Sequence, residues 1–186
     1  MGFFRLGWRL RVYGAERVPK SEAMIVVANH VSYFDPPLLG AAMPRPVAYL
    51  AKRELFSIPV LGPTIRTLGA FPIDRSRGDL GAFRRALGAL EAGLALGIFP
   101  EGTRNREGRV RPQLGSAMLA FRTGVPVVPA YLAGTRDLRR SRQVAVAFGE
   151  PFAFGNKQKA TREELSKATD EIMRRIYALG ETLGDH

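Results

Sequence analysis

Short apolar runs punctuate the chain at 24–28, 46–51, 69–73, 94–99, 125–132 and 143–149. Each has the length and content of a strand buried on both faces. Between several of them the period changes to that of a helix. From Asp79 to Gly93, the residues Leu80, Phe83, Leu87, Leu90 and Leu94 recur at steps of three and four, with Arg84, Arg85 and Glu91 mostly off that face. Gly93 and Gly97 then mark the passage into the strand 94–99. A last helix is predicted from Thr161 to Leu179, with the stripe Leu165, Ala168, Ile172, Ile176 and Leu179. Thr161 and Glu164 form a capping box at its start, and Gly180 supplies its stop. At the front of the chain Leu6, Trp8, Leu10 and Val12 alternate with Arg5, Gly7, Arg9 and Arg11, which predicts a strand over 8–13. The alternation of strands and helices predicts an α/β fold: one domain, 1–186, whose central, mostly parallel or mixed sheet of about seven strands is flanked by helices.

Composition narrows the chemistry. The 186 residues are 46% hydrophobic, enough for one sizeable core, and contain no cysteine, which excludes disulfides, thiolate catalysis and cysteine-based zinc sites. With one histidine besides the terminal His186, no metal site is expected. The formal charge of +11 is carried mainly by 23 arginines and favours anionic partners: nucleic acid, phosphorylated small molecules or acidic lipid surfaces. An Arg-, Ala-, Gly- and Pro-rich composition is equally explained by a GC-rich or thermophilic source. No window approaches the ~20 apolar residues of a spanning helix, so a cytoplasmic protein is expected. Residues 1–7 are a candidate membrane-interface segment, since Phe3, Phe4 and Trp8 stand beside Arg5, Arg9 and Arg11.

Candidate chemistry gathers at two strand ends. The run 24–28 leads directly into Asn29-His30-Val31-Ser32-Tyr33-Phe34-Asp35. Imidazole is suited to move a proton near neutral pH, and a carboxylate held close by fixes its tautomer and stabilises its charged form. Asp35 also precedes Pro36-Pro37 and suits the N-cap of a helix Pro36–Met43, a role compatible with orienting His30. The run 94–98 leads likewise into Phe99-Pro100-Glu101-Gly102-Thr103-Arg104. There Gly102 permits close backbone approach, and Arg104 offers forked donors for a phosphate or carboxylate. Each block alone has a bland reading, a helix cap in one case and a turn with a surface arginine in the other.

Together, the NHxxxxD and FPEGTR blocks resemble the glycerolipid acyltransferase family, of which 1-acyl-sn-glycerol-3-phosphate acyltransferases are members. Gly69-Ala70-Phe71-Pro72-Ile73-Asp74-Arg75 is similar to the family's GxxFIxR element, Val125-Pro126-Val127-Val128-Pro129 to its apolar, proline-containing fourth block, and Ala51-Lys52-Arg53-Glu54-Leu55 to the AKxEL segment between blocks one and two. The resemblance runs through a motif-bearing core of 8–149, with the helix 161–180 beyond it. It implies acyl transfer from a thioester (acyl-CoA or acyl-acyl-carrier-protein, with no cofactor) to the free hydroxyl of 1-acyl-sn-glycerol-3-phosphate, giving phosphatidic acid. His30 would be the general base and Asp35 its partner, with direct transfer and Ser32 as a rival nucleophile. Arg75, Arg104 and Lys52 would collect the acceptor phosphate, with Glu101, Gly102 and Thr103 shaping its pocket and Asp74 competing for Arg75. Leu38, Phe56 and Leu61 are candidates for the acyl groove.

Some positions depart from the family pattern. Asn105 stands where serine is frequent, a change expected to matter little. At Arg111-Pro112-Gln113-Leu114-Gly115 the Phe-Lys pair that many relatives carry is missing, which either alters the acceptor site or shifts the basic duty to Arg109 or Arg111. Only about seven residues precede the first strand, so peripheral binding to the cytoplasmic face of an anionic membrane would rest on charge. Arg5, Arg9, Arg11 and Arg17 form one basic cluster, and Arg136, Arg139, Arg140 and Arg142 another, for lipid headgroups or an acidic carrier protein. The same blocks fit other acceptors, namely glycerol-3-phosphate, a lyso-ornithine lipid or a lysophospholipid. The other class that the charge permits, a basic nucleic-acid-binding module, lacks a recognition motif and aromatics interleaved with the arginines.

Overall fold

The computed structural model describes residues 9–59, 61–67, 69–73, 80–136, 143–155 and 159–183. Its strands are β1 (Arg9–Tyr13), β2 (Met24–Ala28), β3 (Val47–Lys52), β4 (Ala70–Ile73), β5 (Ala95–Ile98), β6 (Val127–Ala133) and β7 (Gln143–Phe148). The helices are α1 (Asp35–Ala42), α2 (Leu61–Thr67), α3 (Leu80–Glu91), α4 (Gly115–Thr123) and α5 (Arg162–Leu183). The seven strands form one sheet in the order β1-β7-β6-β2-β5-β3-β4. Neighbours are parallel except β6 and β7, so the sheet is mixed. This is the predicted α/β domain.

β2 lies at the centre, between β6 and β5, and all five of its residues are buried. That explains its unbroken apolar sequence: with helices over both faces, no position along the strand meets water. Met24, Val26 and Ala28 pack with Leu38, Leu39 and Ala42 of α1. Ile25 and Val27 pack on the other face with Ala117 and Ala120 of α4 and Ala168, Ile172 and Ile176 of α5. The chain leaves β2 through α1 on one face and leaves β5 through α4 on the other. Adjacent parallel strands whose connections diverge in this way leave a crevice at their carboxyl ends, where open α/β sheets bind ligands.

Two helical expectations are corrected. The buried face of α3 runs through Ala82, Ala86, Ala89 and Leu90, while Leu80 and Leu94 are exposed. Small alanines let the helix sit close to the sheet, and the bulkier leucines fall at its margins. The capping box of α5 forms as predicted: the Thr161 N–H donates to Glu164 Oε2 (2.7 Å) and the Glu164 N–H to Thr161 Oγ1 (3.2 Å). Gly180 does not stop that helix, which runs on to Leu183. A Cβ at Gly180 would come within 2.7 Å of the Tyr131 ring, so the glycine serves close packing of α5 on β6. The short helix α2 and the alanine-rich α4 were not expected from the period.

β1 is an edge strand beside β7, with Arg9 and Arg11 exposed. Phe3, Phe4, Arg5 and Trp8, the segment 1–7, and Arg139, Arg140 and Arg142 lie outside the described residues. No helix among the described residues is long and apolar enough to cross a membrane.

Candidate active site

β2 and β5 are paired in register, Val27 opposite Ile98, so the loops that follow them emerge side by side. His30 stands two residues past the end of β2, its ring packed on Phe99 with centroids 4.5 Å apart. Its Nδ1 lies 2.9 Å from Asp35 Oδ2, with the imidazole side chain 17% exposed and the carboxylate fully buried. The same oxygen accepts the backbone N–H groups of Val31 and Ser32, both at 2.6 Å. Asp35 therefore does not cap its helix as expected. It is the first residue of α1, and its side chain turns back to organise the loop before it. A carboxylate that already accepts two backbone donors stays fixed while it orients the ring. With Nδ1 engaged, Nε2 is the nitrogen left for a reacting proton.

The loop after β5 grips that loop at several points. The His30 N–H donates to Glu101 Oε2 (2.6 Å), and the His30 carbonyl accepts the Asn105 N–H (2.6 Å). Both backbone polar groups of His30 are thus held by the loop after β5, through Glu101 of the second motif and Asn105 just beyond it. Glu101 is almost wholly buried, and its Oε1 accepts Asn105 Nδ2 (3.1 Å) and the Tyr177 hydroxyl (2.9 Å). Burial pushes the Glu101 carboxyl above its ordinary range, and the hydrogen bonds from Asn105, Tyr177 and the His30 N–H oppose that rise. Expected to face the acceptor, Glu101 instead points inward, where its two oxygens serve three donors, from His30, Asn105 and Tyr177. Asn105 is likewise corrected from incidental to structural. It bonds His30 and Glu101 and also accepts the Val110 N–H through Oδ1 (3.2 Å), which a serine is too short to do while still reaching Glu101.

Arg104 lays its guanidinium over the exposed Tyr33 ring, 3.6 Å from the centroid, and Arg106 Nε donates to the Val31 carbonyl (3.3 Å). Stacking uses the flat face of Arg104 and leaves its N–H edge for an anion. Gly102 has φ +67°, and a Cβ there would meet Gln113 Nε2 at 3.0 Å, so only glycine suits the turn. Thr103 is exposed beside it. Ser32 is buried, and its Oγ accepts the Phe34 N–H (3.3 Å), which ties up the rival nucleophile in the turn.

The remaining expected residues are placed unevenly. Leu38 has no exposed surface and belongs to the core between α1 and the sheet, so it is corrected from groove to core. Phe56 is buried, with the Arg66 guanidinium 5.5 Å from its ring centroid. Lys52 closes β3 opposite Ile73, the last residue of β4. The Lys52 and Leu61 side chains lie outside the described residues, as do Asp74 and Arg75. Among the described residues no group of three His, Cys, Asp or Glu side chains could hold a metal.

Sequence reasoning gave no role to Asn29 or Tyr177. Asn29 Nδ2 donates to the Leu132 carbonyl (3.0 Å), and its Oδ1 accepts the Leu132 N–H (2.7 Å). Its place inside the first block was the available signal. Tyr177 lies 76 residues from Glu101 with nothing local to mark it.

A match to the Acyltransferase family covers residues 9–133, which include both motif loops. The chain belongs to the acyltransferase family. Among curated relatives, the 1-acyl-sn-glycerol-3-phosphate acyltransferase of Bacillus subtilis is 28% identical over 175 residues, 91% of this chain and 87% of that protein. The enzyme of the same name from Borreliella burgdorferi is 33% identical over 134 residues, 70% of this chain. That match spans 54% of the Borreliella protein, about half its length. The crystal structure of the 1-acyl-sn-glycerophosphate (LPA) acyltransferase PlsC from Thermotoga maritima superposes with a TM-score of 0.73 at 34% identity. It covers 95% of this chain and 75% of that one. The loops that join His30, Asp35, Glu101 and Asn105 lie within the region that matches the acyltransferase family.

Proposed function

We propose that the chain transfers a fatty acyl group from a thioester to the free hydroxyl of 1-acyl-sn-glycerol-3-phosphate, giving phosphatidic acid. The observation that carries this reading is the His30–Asp35 pair: Nδ1 is held at 2.9 Å by a buried carboxylate, and the ring stays partly open to solvent. Nε2 takes the proton of the acceptor hydroxyl as its oxygen bonds the thioester carbonyl carbon. The C–S bond then breaks, and the proton passes from His30 to the departing thiolate, so atoms and charge balance without an acyl-enzyme. Positioned general-base catalysis of this kind supplies about 10²–10⁴-fold in rate. Asp35 stabilises the transient imidazolium. Arg104 supports the acceptor phosphate with its free edge, joined in this reading by Lys52 and Arg75.

The thioester is acyl-CoA or acyl-acyl-carrier-protein, and the working surface is the cytoplasmic face of an anionic membrane. Exposed Tyr33 and Phe34 beside Arg104 and Arg106 support that placement, since they join apolar rings to positive charge at the mouth of the site.

The test is turnover by purified protein with both donors against lysophosphatidic acid, glycerol-3-phosphate, a lyso-ornithine lipid and a neutral lysophospholipid. Lysophosphatidic acid is expected to be preferred, with loss of turnover in His30→Ala and a raised KM for phosphorylated acceptors in Arg104→Ala. Wild-type turnover in His30→Ala would refute the mechanism, and preference for another acceptor would reassign the substrate. Flotation with vesicles should show a preference for anionic over neutral lipid, and equal binding to both would refute the membrane assignment.

A further inference from the structure

The Glu101 carboxylate links two sides of the sheet. On one side it accepts the backbone N–H of His30, whose ring packs on Phe99 against the α1 layer. On the other it accepts the hydroxyl of Tyr177, which projects from α5, the helix packed on the opposite layer through Ala168, Ile172 and Ile176. We propose that Tyr177 is a positioning residue for the reaction, holding His30 in place through Glu101 and so making α5 part of the active site. This rests on the general-base reading of His30.

Three observations support the link. First, the path has only two hydrogen bonds, 2.9 Å from Tyr177 to Glu101 Oε1 and 2.6 Å from the His30 N–H to Oε2. Second, Tyr177 is 41% exposed, yet its ring meets Tyr131 edge-on with centroids 6.2 Å apart. Packing therefore fixes the ring while the hydroxyl reaches inward. Third, Glu101 has two oxygens for three donors, from His30, Asn105 and Tyr177, so losing one donor frees the carboxylate to turn. Burial and the Glu101 charge both hold the Tyr177 phenol above its ordinary range, so it remains a donor throughout the working pH range. Tyr131 responds in the same direction for the same reasons.

The reason for such a device lies in the geometry of strand ends. His30 is beyond the last paired residue of β2, so the ladder no longer constrains its peptide. A small rotation there swings Nε2 away from the acceptor hydroxyl, and misplacement by about 1 Å can cost about 10²-fold in rate. Glu101 held by Tyr177 and Asn105 restores that constraint.

Tyr177→Phe removes one hydroxyl and keeps the ring packing. The expected result is kcat lowered about tenfold, as for loss of one hydrogen bond to a charged group, with KM for both substrates unchanged. Amide hydrogen exchange at His30 should accelerate by about the same factor, while Ile25 and Val26 within β2 keep wild-type protection. Ile172→Val, which loosens α5 without touching Glu101, serves as comparison and should lower the melting temperature while leaving kcat and His30 exchange unchanged. Unchanged exchange at His30 in Tyr177→Phe would overturn the inference, and so would acceleration spread equally along β2. Wild-type turnover in His30→Ala would refute the base reading instead. The two failures are separable, because exchange at His30 is read without turnover.

Discussion

Asp35→Asn tests the site with the smallest change of shape. The amide oxygen can occupy the position of Oδ2 and still accept the N–H groups of Val31 and Ser32, so the loop keeps its form. The amide nitrogen then lies where Oδ1 has no hydrogen-bond partner among the described residues, a buried donor left unpaired at a cost of about 1–3 kcal/mol. Removing the buried charge offsets part of that cost, so the variant should fold. Catalysis should suffer far more. With N and O 2.9 Å apart, and at an effective dielectric of about 20, an imidazolium and a carboxylate attract by about 6 kcal/mol. The Asn dipole and water at the partly exposed ring return part of this. A net loss of about 3–4 kcal/mol in the transition state lowers kcat about 10²–10³-fold. The assay is kcat at saturating donor and acceptor, alongside thermal unfolding. A folded Asp35→Asn protein with kcat within about threefold of wild type would refute the role given to Asp35.

Further outcomes follow from the packing and the charges. Ile172→Ala empties a fully buried site between α5 and the sheet and should cost about 2–5 kcal/mol in denaturant unfolding. Gly97→Ala drives a Cβ into the buried Tyr49 ring, which lies between β5 and the Gly40 position of α1. It should destabilise by about 1–3 kcal/mol, checked by the same titration. Hydrogen bonds from Arg174 and then Arg175 lower the Glu171 carboxyl from 4.5 to about 2. Between those values the unfolded chain binds more protons, so this stabilisation is complete above about pH 4.5 and is lost as pH falls toward 2. Melting temperatures of wild type and Glu171→Gln should differ at neutral pH and converge in acid.

The strands were legible because a sheet covered on both faces writes its burial as unbroken apolar runs. The run 24–28 is β2 residue for residue, and 143–149 overshoots β7 by one. Helices announced by large apolar residues were less accurate. α3 buries Ala82, Ala86 and Ala89, and α4 buries Ser116, Ala117 and Ala120 beside Leu119, so most of the buried side chains are too small to mark a stripe by hydrophobicity. Gly180 reads locally as a stop signal, and only the Tyr131 ring opposite explains a glycine inside α5. The site divides in the same way. His30 and Asp35 are five residues apart, and their chemistry can be read from one loop. The inward turn of Glu101 depends on donors from residues 30, 105 and 177, and only the folded sheet brings these together.

Asn29 shows how the central strand ends. Its side-chain amide gives and receives one hydrogen bond at Leu132, the same pair of bonds that a peptide unit on a neighbouring strand would make. β2 thus gains a last rung from a side chain rather than from its backbone. An aspartate there could accept but not donate, and it would set a charge against the Leu132 carbonyl, so deamidation at this one position would break the rung. The substitution of side chain for backbone also explains why the next peptide is available at all. Because Asn29 completes the edge of β6, His30 owes nothing to the sheet, and its N–H and C=O are free to be claimed by a different strand's loop.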